Sequence, residues 1–213
     1  MSVPVSMTPS EDTHRDPDRL QIERTVIVHG FGAGIDDHWF PWLADRLDRV
    51  DRVELPASSR PDAATWIPLV ARAIGDLDER TAVVAHSLGC VTAAQAILRL
   101  ARSVPAARLG VFVAVAPFAD PLAESGLPDL DAFTADGLDA FLTDVDLRTV
   151  AAATVHTHVM RSDDDPIVST AQSEEFAEAL GAPVCVVPGA GHFLGSNGVT
   201  RLQPVLDILC GAA

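Results

Sequence analysis

The sequence predicts an α/β protein in three layers: a mostly parallel six-stranded sheet with helices on both faces. Three observations carry that expectation. Short β-branched runs alternate with longer helical stretches along the chain, the pattern of repeated strand–helix units. The strands "AVVAH" and "GVFVAVA" are apolar apart from the terminal His86, as strands buried on both faces are. Glycine-bearing turns follow directly on strand ends, at "VHGFGAG", "AHSLG" and "VVPGAGHFLG".

Strands are expected at Thr25–His29, Arg52–Leu55, Thr81–His86, Leu109–Val115, Val155–Met160 and Val184–Val187. Helices are expected near Pro41–Leu47, Thr65–Leu77, Leu88–Arg102, Thr170–Leu180 and Val199–Leu209. Pro41 suits a first helical turn, where its missing N–H costs nothing. One segment breaks the alternation. Residues 116–149 hold eight acids and one base, Arg148, and are too long for a simple connection and too acidic for a core element. Such segments are lids or binding loops, or else solvated insertions with a short helix or two.

At 213 residues the chain reads as one domain, 25–213, with a sizeable core. Residues 1–24 are polar, acidic and proline-bearing, without the basic start and apolar centre of a signal peptide; they read as a disordered or extended tail before a cytoplasmic domain. No apolar run approaches a membrane span. The net charge of −15 repels nucleic acid and anionic membrane surfaces, so neither is expected as a partner. All fifteen basic residues are Arg, which removes Schiff-base lysine chemistry. Cys90, Cys185 and Cys210 show no close ligand spacing and read as reduced thiols.

The glycines at 30, 32 and 34 pose a choice between a phosphate cradle and half of an oxyanion hole. A dinucleotide site needs G-x-G-x-x-G with a helix opening at once. Here Ile35 stands where a glycine would complete that pattern, and "IDDHWF" separates the glycines from the helix at Pro41. The stretch at 81–92 decides the matter. A buried strand runs into Ala85-His86-Ser87-Leu88-Gly89 and a helix follows, the G-x-S-x-G nucleophile elbow with Ala in first place. Ser87 must sit on a strained turn, with small residues two before and two after it. The N–H of Leu88, at the helix N-terminus, then points at a developing oxyanion. The second donor is expected from the "HGFGAG" loop, Phe31 first and Gly32 next. Downstream, strands end in Asp163-Asp164-Asp165-Pro166 and in a glycine loop carrying His192. The order Ser, Asp, His, each just past a strand end, is the hydrolase order.

With these residues in view the sequence resembles the α/β-hydrolases, and among them the small serine hydrolases that include the retinoblastoma-binding serine hydrolase and its bacterial relatives. The resemblance covers about residues 25–209. It rests on His38-Trp39 with nearby Trp42, on "HSLG", on "DDPIV" and on "GHF". It implies a Ser-Asp-His triad whose acid directly precedes Pro, which lands on Ser87, Asp165 and His192. Pro166 points the same way, since it holds Asp165 extended at the strand end. The only L-x-C stretch, Leu88-Gly89-Cys90-Val91-Thr92, has Thr where a retinoblastoma-binding motif wants Glu, so no such partner is expected.

The expected chemistry is acyl transfer from a small neutral ester to water, with no cofactor and no metal. Asp163 and Asp164 are expected to be solvated turn residues, and His86 to pack the elbow. His38, Trp39 and Trp42 are expected to wall the substrate site, and Trp66 to be core. Two rivals stand beside this reading. One is a binding protein on a hydrolase scaffold; the other is a metal-dependent hydrolase built on His156 and His158, which share one face of a strand.

Overall fold

The computed structural model describes residues 21–211. Among them six strands form one sheet: β1 (Arg24–Val28), β2 (Val50–Val53), β3 (Thr81–His86), β4 (Leu109–Val115), β5 (Thr154–Arg161) and β6 (Val184–Val186). Their order across the sheet is β2-β1-β3-β4-β5-β6, and every pairing is parallel. Eight α-helices connect them: α1 (Phe40–Ala44), α2 (Ala63–Ile74), α3 (Leu88–Ser103), α4 (Pro128–Asp136), α5 (Asp139–Leu142), α6 (Leu147–Ala152), α7 (Thr170–Leu180) and α8 (Gln203–Leu209).

The period-two alternation of each strand divides two cores. Val26, Val28, Val83, Ala85, Phe112 and Ala114 face a layer that holds α2, α3, α6 and α7. Ile27, Val84, Val111, Val113, Val115 and Met160 face a layer built on α1 and α8. Strands so placed bury side chains on both faces, which is why the central ones read as unbroken apolar runs. Strand order reverses between β1 and β3, and the carboxyl ends flanking that point are where open α/β sheets place ligands.

Several boundaries differ from the sequence expectation. β2 starts at Val50 rather than Arg52, because the ladder to β1 pairs Thr25 with Val50. Edge-strand pairing asks for backbone rather than apolarity, and Asp51 lies exposed there, accepting from the Arg24 Nε at 2.8 Å. α2 stops at Ile74, where Gly75 turns the chain at φ 73°. α8 begins only at Gln203, with Pro204 in its first turn. The domain also begins before residue 25: the Glu23 N–H donates to the Arg80 carbonyl at 2.8 Å. Of the expected tail, residues 1–20 lie outside the described residues.

The acidic segment 116–149 is more than a solvated insertion, and it does supply core. Leu130, Phe133, Leu138, Phe141 and Leu147 are buried. Two of its carboxylates hold backbone N–H groups, Asp131 those of the turn before α4 and Asp146 as the N-cap of α6. Asp131 accepts from the Ser125 and Gly126 N–H groups at 2.8 and 3.0 Å, and Asp146 accepts from the Thr149 N–H at 3.0 Å at the start of α6. α6 packs against α3, α7 and β5 and is the crossover helix between β4 and β5, so α4 and α5 are what the segment adds.

Candidate active site

Ser87 stands between β3 and α3 with φ 53° and ψ −125°, a conformation few non-glycine residues adopt. Its own N–H donates to the Val115 carbonyl at 2.9 Å, and tight packing holds the turn. A Cβ on Gly89 would lie 2.5 Å from the His29 carbonyl oxygen and 2.6 Å from that of Val28, so only glycine lets α3 pass the end of β1. Ala85 is fully buried without forcing the strands apart. His38, Ala116 and Phe193 also have positive φ, so strained backbone gathers on this edge of the sheet.

His192 and Asp165 complete a hydrogen-bonded line to Ser87. His192 Nδ1 lies 2.7 Å from Asp165 Oδ2, and His192 Nε2 lies 2.8 Å from Ser87 Oγ. A carboxylate only accepts, so Nδ1 carries the proton and Nε2 accepts from the serine hydroxyl. Ser87 and His192 are 7% and 4% exposed, and the Asp165 side chain is 5% exposed. The other Asp165 oxygen accepts from the Ile167 and Val168 N–H groups at 2.8 and 3.0 Å. These bonds hold the carboxylate in one orientation. Pro166 has no N–H to compete for it.

The two neighbouring aspartates are exposed but not idle, which corrects the expectation of solvated turn residues. Asp164 Oδ1 accepts from the Gly191 N–H at 2.8 Å and from the Ser162 hydroxyl at 2.5 Å. These hydrogen bonds lower the Asp164 carboxyl below its ordinary pKa, the Ser162 bond being the larger cause. Asp163 Oδ1 accepts from the Gly189 N–H at 2.8 Å, and Ser162 Oγ accepts from the Ala190 N–H at 3.1 Å. Three consecutive N–H groups of the His192 loop are therefore held from the acid turn. From the opposite side, His86 Nε2–H donates to the His192 carbonyl at 2.9 Å, and His38 Nδ1 accepts from the Gly195 N–H at 3.0 Å. Burial pushes the pKa of His86 well below its ordinary value and keeps the ring neutral. No local sequence pattern announces this clamp, since it joins side chains of one loop to backbone N–H groups of another.

The glycine loop after β1 faces the serine rather than a helix. A Cβ on Gly30 would lie 3.0 Å from the Ser87 Cβ and 3.4 Å from the Leu88 nitrogen, while α1 opens only at Phe40. That geometry disposes of the dinucleotide reading. The Gly32 N–H is bonded to the Ser58 carbonyl at 2.7 Å and so is engaged. Among the described residues neither the Phe31 nor the Leu88 N–H takes a protein acceptor.

A cavity of about 290 Å³ opens beside Ser87 and His192. Phe31, Leu88, Ile167 and Leu194 line it from loops at the sheet end, and Phe118, Leu122, Leu127, Pro128, Leu130 and Phe133 from the acidic segment. Asp129 is the single charged residue of the lining. His38, Trp39 and Trp42 do not line it, contrary to the sequence expectation. Trp39 is fully buried in the core of the opposite face, Trp42 carries Arg46 over its ring at 4.5 Å, and His38 is engaged with Gly195. An aromatic close in sequence to a site loop can still point through the sheet. Trp66 is core, as expected.

His156 and His158 lie on β5 with His156 exposed, and among the described residues no third His, Cys, Asp or Glu gathers with them. Cys90 is fully buried behind the elbow, and burial pushes its thiol pKa far up, which leaves it inert as a nucleophile.

The serine hydrolase family model matches residues 25–210. YdeN of Bacillus subtilis (strain 168) is 33% identical over 192 residues, covering 88% of this chain and 94% of YdeN. The serine hydrolase RBBP9 of Rattus norvegicus is 24% identical, covering 89% and 97%. The crystal structure of the B. subtilis ydeN gene product superposes with a TM-score of 0.72 over 89% of this chain and 97% of that one. The carboxylesterase CesB (YbfK) of B. subtilis, at 18% identity and a TM-score of 0.56, covers 89% and 84% and shares the fold. With the family match spanning nearly the whole sheet and its loops, the chain belongs to the serine hydrolases and has the α/β-hydrolase fold.

Proposed function

We propose that the protein is a carboxylesterase-like hydrolase that cleaves small neutral esters through Ser87, His192 and Asp165. The observation that carries the reading is the buried line Asp165–His192–Ser87, at 2.7 and 2.8 Å, ending on an apolar cavity. In the reaction His192 takes the Ser87 proton as Oγ attacks the acyl carbon. The N–H groups of Phe31 and Leu88 hold the oxygen that becomes negative, a contribution of about 3–4 kcal/mol per donor in a comparable site. His192 then protonates the leaving alcohol, and the same steps with water release the acid. Asp165 keeps Nδ1 protonated and stabilises the imidazolium throughout. No metal or cofactor has a role in these steps.

The lining argues against anionic substrates and leaves neutral or cationic ones, because its only charge is the Asp129 carboxylate, which repels anions. The L-x-C stretch lies buried in α3, which supports the absence of a retinoblastoma-type partner. Among the described residues no helix is long and apolar enough to cross a membrane. The free cysteines fit a reducing, cytoplasmic setting, which belongs to the same proposal. The test is a fluorophosphonate probe followed by peptide mapping, beside turnover of short p-nitrophenyl esters. Labelling at Ser87 and loss of both signals in Ser87→Ala is the expected outcome; turnover that survives in Ser87→Ala overturns the proposal.

A further inference from the structure

One ring in the cavity lining has its position fixed from three directions. Phe133, on α4, stacks on Phe31 with ring centroids 5.2 Å apart and planes at 26°. It meets Phe141 edge-on at 5.9 Å. Phe141 meets Trp66 at 5.9 Å, and Trp66 meets His29 at 5.6 Å, both edge-on. The chain of rings thus leaves the glycine loop at His29 and returns to it at Phe31, two residues on. Trp66 is itself held by its Nε1–H, which donates to the Pro56 carbonyl at 2.8 Å. Against the Phe133 ring lies Gly137. A Cβ there would meet ring atoms Cδ2 and Cε2 of Phe133 at 2.9 Å, so the ring is seated against bare backbone. Gly137 has φ −122°, which any residue adopts, so it is this contact rather than the turn that favours glycine.

We propose that Phe133 is the specificity-determining wall of the cavity, and that the substrates carry short, linear, uncharged acyl groups whose length this ring limits. The inference rests on the serine hydrolase reading of the same site. At about 290 Å³ the cavity lies at the small end of ligand pockets, which run from about 300 to 1,000 Å³. Acyl chain and the first atoms of the leaving group share that room. Each methylene that finds apolar wall raises kcat/KM about fourfold. Once the chain meets the Phe133 ring the gain stops, because a ring pinned by Phe31, Phe141 and Gly137 cannot move aside. Phe133→Ala removes the ring and, with partial collapse of the space, admits about three more carbons. Gly137→Ala acts in the opposite sense. Its methyl group pushes the ring toward the cavity and shortens the accepted chain by about one carbon.

The test uses the full chain and two readouts. The first is kcat/KM for p-nitrophenyl esters from acetate to dodecanoate in the wild type, Phe133→Leu, Phe133→Ala and Gly137→Ala. The second is calorimetric affinity for 1-alkanols of the same lengths, with each wall variant placed on a Ser87→Ala background. This second arm reads the cavity without any chemistry. The expected result is a length cut-off that moves up in both Phe133 variants and down in Gly137→Ala. Phe133→Leu and Gly137→Ala carry the test if Phe133→Ala does not fold. Alkanol cut-offs that shift while no ester is cleaved would leave the wall standing and remove the esterase reading. Cut-offs that coincide in all variants overturn the wall, whatever the turnover.

Discussion

The elbow and the His192 loop deliver the two partners of one 2.8 Å hydrogen bond, yet they are held in place by different physics. The elbow is fixed by close packing. Gly89 passes two backbone carbonyls with no room for a methyl group, Ala85 is fully buried, and no side-chain hydrogen bond caps the turn. The His192 loop is fixed by polar groups instead. Ser162, Asp163 and Asp164 take its N–H groups on one side, and His86 and His38 tie it on the other. The difference teaches that the serine side should be sensitive to volume and indifferent to pH. The histidine side should be the reverse.

The largest effect is expected where both regions meet. Ser87→Ala should lower ester turnover about 10⁶-fold, the scale seen when a triad serine is removed elsewhere. Because Ser87 occupies a strained φ of 53°, Ser87→Gly should be equally inactive but more stable by about 1 kcal/mol, read as a raised melting temperature. An elbow that gains nothing from glycine would mean that packing there stores no strain.

Asp165→Asn should cost about 10⁴-fold in kcat with the fold intact, since an amide in that place favours the wrong tautomer of His192. Circular dichroism and steady-state kinetics together check this. Full activity would move the role of acid to another residue of the turn.

The polar clamp makes a smaller prediction that separates its members. Asp164→Ala frees the Gly191 N–H next to His192 and should lower kcat up to about 10²-fold, the cost of a displacement near 1 Å. Asp163→Ala frees the more distant Gly189 and should cost only a few-fold. In both, KM should change little. Equal, negligible effects would return the two aspartates to the status of solvated turn residues.

On the packing side, Gly89→Ala should destabilise the fold by about 1–3 kcal/mol or more, measured by urea unfolding, through contact with the Val28 and His29 carbonyls. A substitution on the polar side that keeps volume should not have this effect.

The smallest expectation concerns acid. Burial lowers the pKa of His29, His38, His86 and His158 from the ordinary 6.5. Near that pH the unfolded chain takes up protons that the folded chain refuses. Stability is therefore complete above about 6.5 and declines as pH falls below it. His86→Phe keeps a ring in the same space and removes the most strongly shifted group, so its stability should depend less on pH between about 6.5 and 5. A slope identical to that of the wild type would show that His86 does not supply the pH sensitivity of this loop.

The parts of the molecule legible in the sequence are those fixed by local rules. Alternation of short apolar strands with helical stretches predicted the sheet and its covering layers, because burial on both faces leaves a one-dimensional trace. The small-x-Ser-x-Gly turn between a strand and a helix marked Ser87, because that backbone tolerates little else. The strand-end position of His192 and the Asp before Pro166 followed from the same logic. The tertiary structure alone decided the rest. Trp39 reads like a wall of the site but lies in the opposite core, because a short helix has no sequence signal for the side of the sheet it covers. Residues 116–149 read as too acidic for a core, yet Phe133 and Phe141 lie inside while Asp146, outside, caps α6. Composition averages over faces, and only packing separates them. The clamp on the His192 loop joins residues 26 and 27 positions apart. Side-chain to backbone bonds over such distances depend on how two loops meet at the sheet edge, and no local pattern encodes that meeting.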